Sequence, residues 1–442
     1  MFRMRAMKLG AAVVAGAFLL TGCGAAGADT PKPSAAPSLP SLENASGEVA
    51  FWSSVTNMQP VVDEFNKTHP NIKVTYSVVP SGTAGGYAKL STALQAGNAP
   101  DVATIEYPYL SGYASAGNLK PISDYVGEDV LGKFPGQITD LVKLGGKSWA
   151  MPYDAPPMAF YYRTDVLAEA GVAKAPATWD EFEAAGKALK AKNPNAYLAS
   201  FYPNDANVLA GLAWQGGGKW FGVEGDSWKV TMDDPATAKV AQFWQRMVDQ
   251  KIVKVEQAFS DEWSQDLQQS NVVGVVGASW SATGIISRTK GQEGKWAVAE
   301  LPNWGKPANA MLGGSTFAIT KDSKNPEAAA VFTQWMSTSQ DAVKARGNSG
   351  SAWLAYPGLS DIAKNAFDAS HFGGQDIYSV YQKASDAVLP GWNWGPDIAS
   401  TLTPLHDGLG KITTGQTIED TIKQADKSTT DALKSRGLSV TD

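Results

Sequence analysis

From residue 47 onward the apolar positions follow two periods in turn. Val49-Ala50-Phe51-Trp52 forms a short apolar strand, and Met58, Val61, Val62 and Phe65 then recur at i, i+3, i+4 and i+7, one stripe of a helix. The stripe stops at His69-Pro70, where the proline pushes the residue before it out of helical backbone. Ile72 to Val79 reads as a second strand, alternating over its first half; a helix is expected from Tyr87 to Ala96, and Asp101 to Ile105 forms a third strand ending at Glu106-Tyr107. This strand–helix alternation implies right-handed crossovers and a mostly parallel sheet covered on both faces. Ligands of such sheets sit beyond the carboxyl ends of the strands. Here those ends are Trp52-Ser53-Ser54, Ser81-Gly82-Thr83 and Glu106-Tyr107.

The centre of the chain repeats the pattern with marked helix starts. Thr178-Trp179-Asp180-Glu181 has capping-box spacing. Asp234-Pro235 sets a cap before a proline at the first helical position, and Val240, Phe243, Trp244, Met247 and Val248 follow as an apolar stripe. Asn325-Pro326 is expected to open a helix in the same way, with Ala328, Phe332, Trp335 and Met336 on one face. Val272 to Val276, Trp296 to Leu301 and Thr316 to Thr320 read as strands, and a last helix is expected from about Thr417 to Ser435, with Ile418, Ile422 and Ala425 at helical spacing.

The N-terminus follows a different logic. Arg3, Arg5 and Lys8 precede an apolar run from Leu9 to Leu20, about half of the ~20 residues that span a bilayer, so residues 1–22 read as a signal peptide. Leu20-Thr21-Gly22-Cys23 resembles a bacterial lipobox, which implies cleavage before Cys23 and a lipid on its sulfur. Residues 23–46 are rich in Ala, Gly, Ser and Pro and read as a lipidated N-terminus and flexible tether.

Residues 47–442 exceed the ~250–300 at which one core usually splits, so two lobes are expected. Loss of residues 1–22 removes three cations and no acid, taking the formal charge from −6 to −9. Nucleic acid and anionic lipid surfaces are therefore poor partners. Cys23 is the single cysteine, which leaves no disulfide to form. Fifteen tryptophans and fourteen tyrosines supply many flat rings, more than the core pattern alone explains.

Several segments together resemble one family. Phe51-Trp52, Phe65-Asn66-Lys67-Thr68-His69-Pro70 and Leu94-Gln95-Ala96-Gly97-Asn98-Ala99-Pro100-Asp101-Val102 are similar to the substrate-binding lipoproteins of carbohydrate ABC importers, the family 1 sugar-binding type. Met151-Pro152-Tyr153-Asp154, Tyr161-Tyr162-Arg163-Thr164-Asp165-Val166-Leu167 and Pro176-Ala177-Thr178-Trp179-Asp180-Glu181-Phe182 resemble that family's central block in order and spacing, and Gly313-Gly314-Ser315 its second crossover. The resemblance implies an α/β, two-lobed clamp, each lobe a mostly parallel sheet flanked by helices, joined by a hinge that the chain crosses about three times. Lobe one would hold residues 47–153 and 314–370, and lobe two 154–313 and 371–442. The implied partners are a carbohydrate and the permease subunits of an ABC importer, with the lipid holding a monomeric, non-catalytic protein on the extracytoplasmic face of the membrane.

The chemistry of a sugar gives the same requirement independently. Its C–H faces need flat rings, and its rim of hydroxyls needs carboxylates, amides or a guanidinium. Trp280, just after the Val272–Val276 run, and Trp392 in Pro390-Gly391-Trp392-Asn393-Trp394-Gly395 rank first as stacking platforms; Trp52, Tyr107 and Trp394 follow, then Trp214 and Trp220. A loop bounded by Gly and Pro is expected to leave its tryptophans open. Polar candidates are Glu106, Asp154 beside the hinge, Asn204 or Asp205, and Arg346 in Arg346-Gly347-Asn348-Ser349-Gly350; Ser53 and Ser81 at strand ends and Gly314 and Ser315 at the crossover complete the set. Several platforms suggest several sugar units, hence an oligosaccharide, and the scarcity of cations in these loops favours a neutral one.

The rival class is a secreted glycoside hydrolase working with two carboxylates. Gly277-Ala278-Ser279-Trp280-Ser281 and Gly313-Gly314-Ser315-Thr316-Phe317 both lack the closing glycine of a nucleophile elbow. His69, His371 and His406 are far apart with no His-Glu-x-x-His arrangement, so no zinc site or cofactor is expected. Ser81-Gly82-Thr83-Ala84-Gly85-Gly86 lacks the Gly-Lys-Ser/Thr ending of a phosphate loop. An adhesin or cell-wall scaffold would explain lipid and tether but not paired α/β lobes.

Overall fold

A computed structural model describes residues 39–55, 57–347 and 353–441. The leader, Cys23, most of the tether and the Asn348–Gly350 part of the Arg346 loop lie outside the described residues. Of the expected tether, residues 39–46 differ from a free linker: the Ala45 amide donates to the Leu42 carbonyl at 3.1 Å, and both side chains pack against the body. They are the apolar side chains nearest the first strand, and burying them there removes them from water.

The strands that position the site are, in chain order, β1 (Gly47–Ser53), β2 (Ile72–Val78), β3 (Val102–Glu106), β4 (Leu119–Lys120), β5 (Ala150–Pro152), β6 (Met158–Arg163), β7 (Ala199–Phe201), β8 (Val253–Val255), β9 (Gly274–Ala278), β10 (Trp296–Glu300) and β11 (Ser315–Thr320). The first sheet runs β2-β1-β3-β11-β4, with β5 also on β11. The helix Gln59–Thr68 joins β1 to β2, and the two strands pair parallel from Gly47↔Ile72 to Ser53↔Val78. Phe51, fully buried, meets Phe317 and Phe332 at 5.7 and 5.3 Å in the core behind it.

β1, β2 and β3 are parallel, whereas β11 runs antiparallel to β3, β4 and β5. Farther along the chain β6 runs antiparallel to β9 and β10, β7 pairs parallel with β8, and Tyr197 bridges Val272 in parallel. Each sheet thus has one reversed strand, a refinement of the mostly parallel expectation. The reason is chain path: β6 and β11 are the strands on which the chain arrives in one sheet directly from the other, so no crossover helix within the sheet fixes their direction. The chain returns near the same place once more, where the Ala155 and Ala355 amides donate to the Trp353 and Tyr153 carbonyls at 2.8 and 2.9 Å.

The helix caps agree with the sequence at Thr178 and Asp234, whose side chains accept from the Glu181 and Thr237 amides; Thr417, where the last helix was expected to begin, also caps it, accepting from the Asp420 amide. Asn325 does not cap its helix. Its amide donates to the Glu48 carbonyl at 2.9 Å, and Gly47 lies so close that a Cβ there would fall 2.8 Å from it. Tertiary pairing has taken over the group that the local pattern assigned to a cap. No described helix is long and apolar enough to cross a membrane.

Candidate functional site

The ends of β1 and β3 form the first wall. Trp52 is half-buried, with the Lys89 ammonium 4.5 Å from its ring centroid. Ser53 is fully buried and its hydroxyl is committed, accepting from Thr104 Oγ1 at 2.7 Å and from the Val55 amide at 3.0 Å. Ser81 is exposed, and its carbonyl closes a tight loop by accepting from the Ala84 and Gly86 amides. That loop needs Gly82 because the Tyr87 ring packs against it; a Cβ would lie 2.1 Å from Tyr87 Cε2. Tyr87 in turn accepts from the Glu106 amide at 3.1 Å. Trp52, Tyr87, Glu106 and Ser315 line one hollow. Burial there pushes the Glu106 carboxyl up to about 7; a hydrogen bond from Tyr87 opposes the rise, and the nearby charges of Asp205 and Asp154 add to it.

The crossings form the floor. Asp154 Oδ1 accepts from the Ser315 amide at 2.6 Å, while the Ser315 carbonyl accepts from the Tyr153 amide at 3.0 Å. Burial raises Asp154 to about 6, against the pull of the Ser315 N–H and of Arg346. Arg346 donates to the Tyr153 hydroxyl and lies 5.4 Å from that ring, so it braces the crossing from behind. Gly314 has φ +97°, and a Cβ there would come within 2.9 Å of both Pro156 and Tyr107. Tyr107 itself is buried against this turn, and its hydroxyl has no partner among the described residues.

The second wall comes from the end of β9 and the segments beside the helix Ala206–Gln215. Trp280 follows β9 and is half-buried, its indole N–H donating to the Leu312 carbonyl at 3.0 Å. Phe259 stands 6.1 Å from it, 55% exposed and at φ 63°, a left-handed backbone that a bulky residue rarely adopts. Asn204 holds it there, because both ends of its amide bond the Ala258 backbone, at 2.8 and 3.3 Å. Asp205 caps the helix Ala206–Gln215, and burial raises its carboxyl. Tyr202, Asp205, Phe259, Trp263 and Trp280 line the second hollow.

Trp392 and Trp394 are placed differently from the open loop expected. Trp392 is stacked on Trp214 at 5.3 Å with 6° between the rings, touches Trp220, and meets Trp394 edge-on at 5.2 Å; the two are 5% and 4% exposed. The loop cannot bury its tryptophans alone, but the helix Ala206–Gln215 supplies Trp214 as a partner. The structure thus brings Asp154 and Asp205 within electrostatic reach of Glu106, with Trp52 lining the hollow of Glu106 and Trp280 that of Asp205. Sequence reasoning missed Tyr87, Phe259 and Tyr109, the last of which packs against Tyr87 with ring centroids 4.2 Å apart. Tyr109 carried a usable signal, lying two residues after a strand-end tyrosine, whereas nothing local distinguished Phe259.

Residues 52–343 match the model of the bacterial extracellular solute-binding proteins. The chain belongs to that family. The chain is similar to the lactose-binding protein of Rhizobium radiobacter, 26% identical over 85% of this chain and 91% of that one. The galacto-N-biose-/lacto-N-biose I-binding protein of the ABC transporter from Bifidobacterium longum, solved with lacto-N-biose, superposes with TM-score 0.80 at 26% identity, covering 90% of this chain and 99% of that one. An ABC transporter associated binding protein from B. animalis subsp. lactis, in complex with β-1,6-galactobiose, gives TM-score 0.78 at 29% identity over 90% and 100%. These solute-binding proteins share the two-lobed architecture, and they give no support to the glycoside hydrolase alternative.

Proposed function

We propose that this protein captures a neutral oligosaccharide between its lobes and delivers it to the permease of an ABC importer, a separate chain. The observation that carries the reading is the pairing of unlike walls. Trp280 and Phe259 line one hollow and offer ring faces, while Glu106 lines the other and offers an acceptor, with Asp154 near it at the crossing. Rings suit the C–H face of a sugar and carboxylates its hydroxyls, and a clamp closes when ligand binds its closed form better than its open one. The similar proteins named above, which bind lactose, lacto-N-biose and β-1,6-galactobiose, support a carbohydrate ligand. Three carboxylates in one cleft would repel an acidic sugar.

In this reading Trp52, Ser81, Glu106, Asp154, Asp205, Phe259, Trp280 and Ser315 meet the ligand. Ser53, Asn204, Gly314 and Arg346 position those groups, and Trp392 and Trp394 pack lobe two. The lobes divide as 47–153 with 314–370 and 154–313 with 371–442. Cys23 carries the lipid, and the protein acts as a monomer. Calorimetric titration with lactose, lacto-N-biose and β-1,6-galactobiose, followed by product analysis, tests this. Micromolar binding with intact sugar is expected; cleaved sugar, or silence across neutral saccharides, would overturn it.

A further inference from the structure

A groove of about 880 Å³ lies between the helices Gly86–Ala96 and Tyr107–Ser115 of lobe one and the segment 396–399 of lobe two. That is the size of a small-molecule site, ~300–1,000 Å³. It adjoins the cleft across one side chain. Tyr87 lines both the groove and the hollow beside Glu106. Tyr109, which also lines the groove, has its hydroxyl pushed up by burial and then by the charges of Glu106 and Asp205, so it stands within reach of both cleft carboxylates. The two tyrosine rings are 4.2 Å apart and inclined by 35°. Beyond them Gln95 and Asn118 bring amides to one wall, and Asp397, paired with Arg436 at 2.7 Å, brings charge to the other.

Resting on the carbohydrate reading, we infer that this groove is a subsite for the later units of an oligosaccharide whose first units fill the cleft. Tyrosine faces and a rim of amides, carboxylate and guanidinium repeat the chemistry that the cleft offers a sugar, and charged groups make the stronger hydrogen bonds to hydroxyls. Both lobes supply its walls, so a chain lying in it gains contacts only while the lobes face each other. Those contacts add to the differential affinity that holds the clamp shut. The protein therefore selects chains of three or more units over disaccharides.

The test is a titration of the full chain with β-1,4- and β-1,6-linked galacto-oligosaccharides of two to five units. The tetrasaccharide is expected to bind at least tenfold more tightly than the disaccharide of the same linkage. Ala116 is exposed and lines the groove at the end of its helix, away from Glu106, so Ala116→Trp fills the groove. It is expected to cut the length gain below threefold and leave disaccharide affinity within twofold. The double variant Gln95→Ala, Asn118→Ala, which removes atoms and adds none, should reduce the gain in the same direction. Equal affinity for all lengths, or a gain that survives both variants, overturns the subsite while the disaccharide still reports a working cleft. Failure of every sugar to bind overturns the carbohydrate reading and the subsite with it.

Discussion

Phe259 combines two costs, an exposed ring and a left-handed backbone. The backbone cost is about 1–2 kcal/mol, close to the ~0.5–1.5 kcal/mol of an edge-to-face ring pair such as the one it makes with Trp263 at 5.6 Å. Phe259→Gly should therefore change stability by less than about 1 kcal/mol while weakening sugar binding roughly tenfold, a separation that urea melts and titration can resolve. Glu106 gives a second residue-scale outcome. Its carboxyl titrates at about 7 in the folded protein against an ordinary 4.5. Between those values the native state holds a proton that the unfolded chain has released, so the contribution is complete below 4.5 and disappears as pH rises through 7. Glu106→Gln should then match the parent near pH 4.5 and melt about 2–4 °C higher at pH 8, where the parent carries the buried charge. A thermal melt series across that range checks both ends. Burial of this kind was only half legible in the sequence: Glu106 stood out at a strand end, but Tyr87 and the facing Asp205 come from segments whose approach no local pattern records.

At the scale of elements the legible part was the part governed by neighbours in sequence. The βαβαβ opening, the helix stripes and the caps at Thr178 and Asp234 follow from periodicity and side chains three residues apart. What was not legible came from partners far along the chain: Asn325 serves β1 instead of its own helix, and Trp392 is covered by Trp214. The Gly313-Gly314 turn joins both kinds. Its glycines were visible, but only the structure separates their roles. At Gly313, with φ +72°, the nearest atom to an added Cβ is 3.9 Å away, whereas at Gly314 it is 2.9 Å. Gly314→Ala should cost about 1–3 kcal/mol and weaken binding by pulling the Ser315 amide off Asp154. Gly313→Ala should cost only the backbone strain, about 1 kcal/mol. Equal losses in chemical denaturation would refute the distinction.

For the whole molecule, the proposed anchor makes location depend on one sulfur. Cys23→Ser should move the protein from the membrane fraction to the medium without altering sugar affinity, as fractionation and titration of the same samples would report. The two-lobed plan was readable from length and from the repeated strand–helix order, but the reversal of β6 and β11 was not, because it arises from where the chain passes from one sheet to the other. That reversal has a kinetic consequence. β11 is paired on both sides, with β3 and with β4 and β5, its register joining Ser315 to Glu106 across some two hundred residues. The first sheet therefore cannot close until residue 320 has been synthesised, and loop closure over such a distance slows folding. A ribosome emits ~5–20 residues per second, so the first sheet of the emerging chain stays open for many seconds. With the leader proposed for residues 1–22, which would carry the chain across a membrane, that delay would be an advantage.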